Sequence, residues 1–508
     1  MIADAQDDAI RFLMDPASYG QTLPVETMET HISRIFLAGD RVYKMKRAVK
    51  LPYVDFSTPA LRLEACRKEV AFNAPGAPGL YLGVRGIRRA PDGTVAFGGS
   101  GALIDAVVEM VRFDQAQLAD HMAVEGRLDA ALVTEIAHRV AGFHRAAPVA
   151  HMSGGAANID AVLSINAAGF ASSHLFDAKD VAALDAKFRE RLAHHAALLD
   201  AREAEGKVRR CHGDLHLRNI CVLNGQPRLF DCIEFNDQIA TIDTFYDLAF
   251  LLMDLWHRDL EDFANLVANR YCDESGDEDG FVLLPLFMAI RAAVRAHVTA
   301  TQIEEGLPDA RLAAEARAYF VLAGRLLDVS PPRLIALGGF SGSGKSTVGD
   351  ALGAKLGMPP GARILETDRI RKAMFGVSAE THLPGVAARF ARERALLGRL
   401  THPGIARLLD AGASVIACAV FDRADTRMAI EHAASRHDFK GIWLDLDPDL
   451  LRQRVSARHE GVSDADLSVL DLQLARDPGE ICWHRLAANA PVGDIVAAIL
   501  AENAEQDQ

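Results

Sequence analysis

Cysteine is scarce and patternless here. The chain has seven (Cys66, Cys211, Cys221, Cys232, Cys272, Cys418 and Cys482), an odd number with no Cys-x-x-Cys pair, which fits reduced thiols in a cytosol better than disulfides or zinc. A basic excess is also lacking: 55 Lys and Arg stand against 69 Asp and Glu, for a formal net charge of −14. An acidic surface repels phosphate backbones and no segment gathers a compensating basic patch, so nucleic acid is not an expected partner. No uninterrupted apolar run approaches the roughly 18–20 residues of a membrane span. The first eight residues are acidic, whereas a secretory signal opens basic and then turns apolar. The expectation is a soluble cytoplasmic protein with no membrane partner. There is no internal repeat or sustained low-complexity tract, and with 50% apolar and 24% charged residues the composition is that of a globular protein. At 508 residues the chain exceeds what one core supports, so two or three domains are expected.

The clearest boundary is Ser330-Pro331-Pro332, which follows a helical pattern ending near Leu327 and precedes the apolar run Leu334–Leu337. Two domains, 1–330 and 331–508, follow from it. Upstream, Ile32–Leu37 and Arg41–Met45 flank the turn Ala38-Gly39-Asp40 as a hairpin, a helix is predicted from about Thr58 to Asn73, and a second hairpin turns at Pro91-Asp92-Gly93. From Leu128 onward the pattern is helical, interrupted by short strands near 208–211, 220–223 and 228–230 with a turn at Asn224-Gly225. This predicts a small sheet-rich lobe followed by a large helical lobe. Beyond 331, strands near 334–338, 364–367, 414–421 and 441–446 alternate with helices, the layout of a parallel sheet wrapped on both faces.

Chemistry concentrates in two segments. The first is Cys211-His-Gly-Asp-Leu-His-Leu-Arg-Asn219. A kinase of the protein-kinase architecture needs a carboxylate that orients the acceptor hydroxyl and, about five residues later, an amide that reaches magnesium. Asp214 and Asn219 have that spacing. After the next hairpin, Leu229-Phe230-Asp231 supplies a carboxylate where a second metal ligand is needed. His216, Arg218 and His144 read as local structural residues.

The run His-Gly-Asp-Leu-His-Leu-Arg-Asn followed by Phe-Asp-x-Ile-Glu-Phe resembles the aminoglycoside phosphotransferase and choline kinase superfamily over most of residues 25–330. The resemblance implies an α+β, protein-kinase-like two-lobed fold that uses ATP and magnesium. It also implies a strand lysine, for which Lys44 is preferred and Lys46 is the alternative, and a helix glutamate to hold it, Glu69 with Glu64 as the alternative. It implies structural aspartates bracing the catalytic loop, at Asp243 and Asp247, and a nucleoside hinge around Glu109-Met110-Val111. The first hairpin departs from protein kinases in having no Gly-x-Gly-x-x-Gly, which leaves Thr30, His31 and Ser33 as polar groups near the phosphates.

The second segment, Gly339-Phe-Ser-Gly-Ser-Gly-Lys-Ser346, follows an apolar strand and opens a helix, which is the P-loop context. Its glycines turn backbone N–H groups toward phosphate, Lys345 reaches the β and γ phosphates, and Ser346 is the magnesium ligand. The expected nucleotide contacts are Gly339, Ser341, Gly342, Ser343, Gly344, Lys345, Ser346 and Thr347. Glu366-Thr-Asp368-Arg-Ile-Arg371 resembles the Asp-x-x-Arg segment of small P-loop kinases such as gluconate and shikimate kinases, which implies Asp368 near magnesium or the acceptor and Arg371 on an anionic group. Arg452, Arg454 and Arg458 lie at helical spacing, either as a lid that closes over the γ-phosphate or as a solvated basic face. On the third strand, where relatives tend to carry an aspartate, the sequence has Cys418, which cannot replace a hard oxygen ligand. Residues 389–410 look like the regulatory helix and next strand of bacterial serine/threonine kinases, a likeness we assign to amphipathic helix design, with a break expected at Pro403-Gly404.

The chain thus resembles bacterial fusions of an aminoglycoside-phosphotransferase-like domain with a gluconate-kinase-like, AAA-type P-loop domain of α/β architecture. The expected activity is ATP- and Mg-dependent phosphorylation of a small-molecule hydroxyl. The alternative is a nucleotide-responsive regulator with a pseudokinase module and a P-loop switch.

Overall fold

A computed structural model of the chain describes residues 6–504 apart from 52–53, 152–153, 307–308, 380, 382–402 and 458–462. It forms two compact units, Met1–Asn158 with Ala196–Leu251, and Ile159–His195 with Leu252–Gln508. The second unit begins upstream of residue 331 and takes in the helices Glu261–Ser275, Leu284–Glu305 and Ala310–Leu326.

The strands of the first unit are β1 (Glu26–Glu29), β2 (Ser33–Ala38), β3 (Arg41–Lys46), the short pair β4 (Lys50–Leu51) and β5 (Val54–Asp55), then β6 (Tyr81–Arg89), β7 (Val95–Phe97) and β8 (Ala102–Val111). Six of them form an antiparallel sheet in the order β1-β2-β3-β8-β6-β7. Gly39 (φ 59°) supplies the left-handed backbone of the predicted β2–β3 turn, where any side chain would be strained. Successive side chains on β8 leave on opposite faces. Val107 joins a core with Phe36, Met45 and Leu13, whereas Ala106, Val108 and Met110 join another with Cys66 and Leu80. The helix Pro59–Asn73 covers this second face; its N-cap Thr58 accepts from the Leu61 N–H and Pro59 occupies the first turn, where no intrahelical N–H bond is needed. That helix buries Arg62, Glu69 and Asn73 beside its small apolar residues, so its inner face delivers charge beneath the sheet. Further along, β9 (Val208–Arg210) pairs with β12 (Thr241–Asp243), and β10 (Ile220–Leu223) with β11 (Gln226–Leu229) across the turn at Asn224 (φ 54°) and Gly225 (φ 73°).

The second unit carries a parallel sheet of β13 (Arg333–Gly338), β14 (Arg363–Glu366), β15 (Val415–Cys418), β16 (Asp438–Asp445) and β17 (His484–Ala487) in the order β14-β15-β13-β16-β17. Chain order reverses at β13, so the carboxyl end of β13 is the topological switch point where open α/β sheets bind ligands. The P-loop begins there. Strand β17 escaped the sequence reading because it is an exposed edge strand with no apolar alternation. Helix Phe281–Glu304 is long and apolar enough to cross a membrane by length and composition, yet it is mostly buried inside its unit, with Phe287, Met288 and Ile290 fully so. Pro403 opens a helix over 403–410; residues 389–402 lie outside the described residues.

Candidate active sites

In the first unit, β3 projects Lys44 and Lys46 from the same face, two residues apart. Lys44 Nζ lies 2.9 Å from Glu69 Oε1 and 2.5 Å from Asp231 Oδ1. Lys46, almost fully buried, lies 2.7 Å from Glu69 Oε2 and pairs with Glu234. Glu69 therefore bridges both candidate lysines, but only Lys44 reaches Asp231. Glu64 is exposed, 4.0 Å from Arg67. Asp231 has a left-handed backbone (φ 64°), rare for a non-glycine residue, and its N–H donates to Tyr81 Oη at 3.1 Å. Strain of that kind is kept where surrounding contacts over-determine it, as they do here: Cys232 N donates to Asn73 Oδ1 (2.8 Å) and Ile233 N to His212 O (3.0 Å).

The catalytic loop meets this segment directly. Asn219 Nδ2 donates to Asp214 O (2.9 Å) and Oδ2 (3.0 Å), which fixes the Asp214 carboxylate and leaves the amide oxygen outside those bonds. Phe230 N donates to Asn219 O at 3.0 Å, and His212 Nε2 lies 2.9 Å from Phe230 O, so Asn219 and Asp231 are tied into one ridge. Beneath it, Asp247 accepts from His212 N (3.0 Å) and Gly213 N (2.8 Å) and faces His144 Nε2 at 3.0 Å. Asp243 does something different. It takes a bidentate contact from Arg202 (2.8 and 2.9 Å) and caps the following helix through Phe245 N (2.8 Å). Glu109, in the expected hinge, accepts from Tyr43 Oη at 3.2 Å. Thr30 and buried Ser33 bond each other across the β1–β2 turn, and His31 is exposed.

Burial pushes the Glu69 carboxyl up, but the Lys44 and Lys46 ammoniums on either side overcome it and hold it down at about 2. Burial pushes the Lys44 ammonium down, yet Asp231 and Glu69 carry it well above the ordinary lysine range. Glu234 goes the other way, raised by burial despite Lys46. The signs oppose. The lowered Glu69 stabilises the fold above the unfolded carboxyl value of 4.5 and loses that contribution as pH falls toward 2, while the raised Glu234 favours the fold at acid pH and opposes it above 4.5. Urea unfolding at pH 6 and pH 3 should therefore show an acid loss that shrinks in Glu69→Gln and grows in Glu234→Gln.

In the second unit, the loop after β13 runs through Gly339 (φ 141°), Gly342 (φ 90°) and Gly344 (φ 90°) into the helix Lys345–Gly353. A Cβ on Gly339 would lie 2.8 Å from Leu444 O, so the loop closes only with glycine there. Lys345 Nζ donates to Gly339 O (2.8 Å) and Phe340 O (3.0 Å), curling over the loop, and Ser346 and Thr347 are exposed at the helix start. Ser341 N donates to buried Gln473 Oε1 at 2.9 Å, while Ser343 is buried. Cys418 is buried under this helix with Sγ 3.8 Å from Lys345 O, its thiol pushed far up by burial. Arg371 lies 3.1 Å from Asp368 and 2.6 Å from Asp464, so this buried guanidinium is engaged by two carboxylates. Arg454 donates to Ala488 O at 3.2 Å from a helix, Pro448–Ser456, whose Leu451 and Val455 pack with Phe340 of the P-loop; Arg458 lies outside the described residues.

Two family models match separate segments of the chain, the first running across the boundary between the compact units. The model of the phosphotransferase enzyme family matches residues 94–281, and that of the AAA domain matches residues 334–477. The chain joins a phosphotransferase segment to a P-loop segment. An uncharacterized protein of Mycobacterium tuberculosis is 28% identical over 491 residues, 92% of this chain and 93% of its own length. Among solved structures, a choline/ethanolamine kinase family protein from Mesorhizobium loti is similar over 64% of this chain and 95% of its own (16% identity, TM-score 0.41). A gluconokinase from Sinorhizobium meliloti is similar over 35% of this chain and 98% of its own (24% identity, TM-score 0.25).

Magnesium fits the donors of both segments. In the phosphotransferase segment the Asn219 amide oxygen and the Asp231 carboxylate, nearly half-exposed, are hard oxygen donors. In the P-loop segment, sequence reasoning passed over Glu366, which pairs in register with Cys418 on the adjacent strand. Its Oε2 is bonded by Arg369 while Oε1 is buried and, among the described residues, has no hydrogen-bond partner, an orphaned carboxylate oxygen two residues before Asp368. Glu234, which pairs with Lys46, is a further residue of this site that the motif alone does not assign; a carboxylate three residues after Asp231 is the available signal. Replacing Asp247 with Ala strands the His212 and Gly213 N–H groups, and we expect transfer by this segment to fall at least tenfold with a loss of about 1–3 kcal/mol in stability, read by steady-state kinetics and urea unfolding.

Proposed function

We propose that the phosphotransferase segment transfers the γ-phosphoryl group of ATP to a hydroxyl of a small molecule. Asp214 accepts the hydroxyl hydrogen bond and takes the proton as the acceptor oxygen bonds to phosphorus; ADP leaves. Lys44, held by Glu69, neutralises phosphate charge, and Asn219 and Asp231 hold magnesium when it is bound. The observation that carries this reading is that Asn219 bonds Asp214 at 3.0 Å, Lys44 reaches Glu69 and Asp231 at 2.9 and 2.5 Å, and the N–H of Phe230, next to Asp231, donates to Asn219 O at 3.0 Å, which ties the two groups together. The P-loop segment binds a nucleotide through Gly339, Ser341–Ser346 and Thr347 with Lys345 on its phosphates. For this segment a second reading, a nucleotide-driven switch, is favoured by Cys418 in the third strand.

Full-length protein, Asp214→Asn and Lys345→Met, each tested for ADP formation against a panel of hydroxyl metabolites, separates the possibilities. Loss of acceptor-dependent turnover in Asp214→Asn alone supports the reading with a P-loop switch. Loss in Lys345→Met alone overturns the assignment of transfer to the first segment.

A further inference from the structure

The P-loop helix Lys345–Gly353 and the edge strand β14 are held by the helix Glu261–Ser275, which lies upstream of the P-loop segment yet shares its compact unit. Asn265 and Asn269, one turn apart and fully buried, face the edge of β14. Asn265 Nδ2 donates to Pro360 O (3.1 Å) and Ala362 O (3.0 Å); Asn269 Nδ2 donates to Ala362 O (3.1 Å) while its Oδ1 accepts from Ile364 N (2.7 Å). These amides stand in for the neighbouring strand that an edge strand lacks. Arg363 reaches back, donating to Asn269 Oδ1 (3.0 Å), Asp273 (2.7 Å) and Glu278 (2.7 Å).

Two further contacts reach the nucleotide-binding elements. Arg270 Nη2 lies 3.3 Å from Asp350, which stands four residues after Ser346 and so on the same face of the P-loop helix. Asp273 lies 3.6 Å from Arg369, whose Nε donates at 2.8 Å to Glu366, the last residue of β14 before Thr367 and Asp368. One helix therefore grips both the helix that carries Ser346 and the strand end that leads to Asp368.

We propose that the helix Glu261–Ser275 is a working part of the P-loop site, with Arg270 and Asp273 as positioning residues that act through Asp350 and through Arg369 and Glu366. This rests on nucleotide binding at the P-loop. Because the contacts are shared, ordering of the P-loop by nucleotide and ordering of this helix are linked: ligand bound to one lowers the opening of the other.

Hydrogen exchange of the full chain with and without ATP and Mg²⁺ tests the link. In the wild type, amides of 261–275 slow at least fivefold together with those of 345–353. In Arg270→Met at saturating nucleotide, 345–353 is still protected while protection of 261–275 drops below twofold; the isosteric Asp350→Asn breaks the same link from the other side and gives the same split should Arg270→Met fold poorly. Protection of 345–353 alone in the wild type, or full protection of 261–275 in both variants, overturns the proposal. Lys345→Met isolates the underlying reading. Protection of 261–275 that persists there arises elsewhere and also overturns the proposal, and a wild type with neither segment protected removes nucleotide binding at the P-loop along with it.

Discussion

Asp214→Asn lowers transfer by the phosphotransferase segment about 10²- to 10⁴-fold, the range spanned by a general base, while the nucleotide dissociation constant changes less than threefold. The split follows from the geometry. Asp214 contacts Asn219 and lies 3.3 Å from His216 Nε2, whereas the group assigned to phosphate is Lys44, held by Glu69, with Asp231 assigned to magnesium. Asparagine keeps the shape and one acceptor, so the loop stays folded, but it cannot receive a proton. Parallel titration calorimetry and initial-rate measurements check this; a loss of nucleotide affinity matching the loss of rate would place Asp214 among the phosphate-binding groups instead.

Arg363→Met destabilises the second unit by about 3–5 kcal/mol, because removing one partner of a buried ion cluster leaves the others uncompensated. Arg363 is fully buried, and its loss takes from Asp273 and Glu278 the cation that donates to both at 2.7 Å and from the Asn269 amide oxygen one of its two donors. Burial alone would push the Arg363 guanidinium down; Glu278 and Asp273 carry it well above its ordinary range, so it stays charged at every pH the fold survives. Urea unfolding followed by tryptophan fluorescence reports on this unit, since Trp443 and Trp483 pack against Phe340, Phe421 and Phe439. A change below 1 kcal/mol would mean the cluster is solvated in the native state.

The sequence was most legible where chemistry dictates spacing. Asp214 and Asn219 are five apart because one loop must present both, and the glycines of the P-loop are where backbone alone can make the turn. The hairpin at Gly39 and the helix capped by Thr58 were legible from turn and cap residues. What escaped depends on pairing between distant residues. Nothing local distinguishes Lys44 from Lys46, since both face Glu69; the distinction lies in which one meets Asp231, 187 residues away. The engagement of Arg371 by Asp464 is invisible locally, because Asp464 is 93 residues downstream. Glu366 was overshadowed by Cys418 because strand register, not sequence, sets them side by side. The helix Glu261–Ser275 lies in the stretch read only as helical, and its buried asparagines gain meaning only against the edge of β14.

Asp231 and Asn219, with Lys44, are assigned to a magnesium-bound nucleotide. The most direct measurement is calorimetric titration of ATP into Lys345→Met, in which the P-loop is silenced, with Mg²⁺ absent and present. Magnesium should tighten binding at least tenfold, and Asp231→Asn in the same background should abolish that gain. An equal magnesium effect with and without the Asp231 carboxylate would contradict the account.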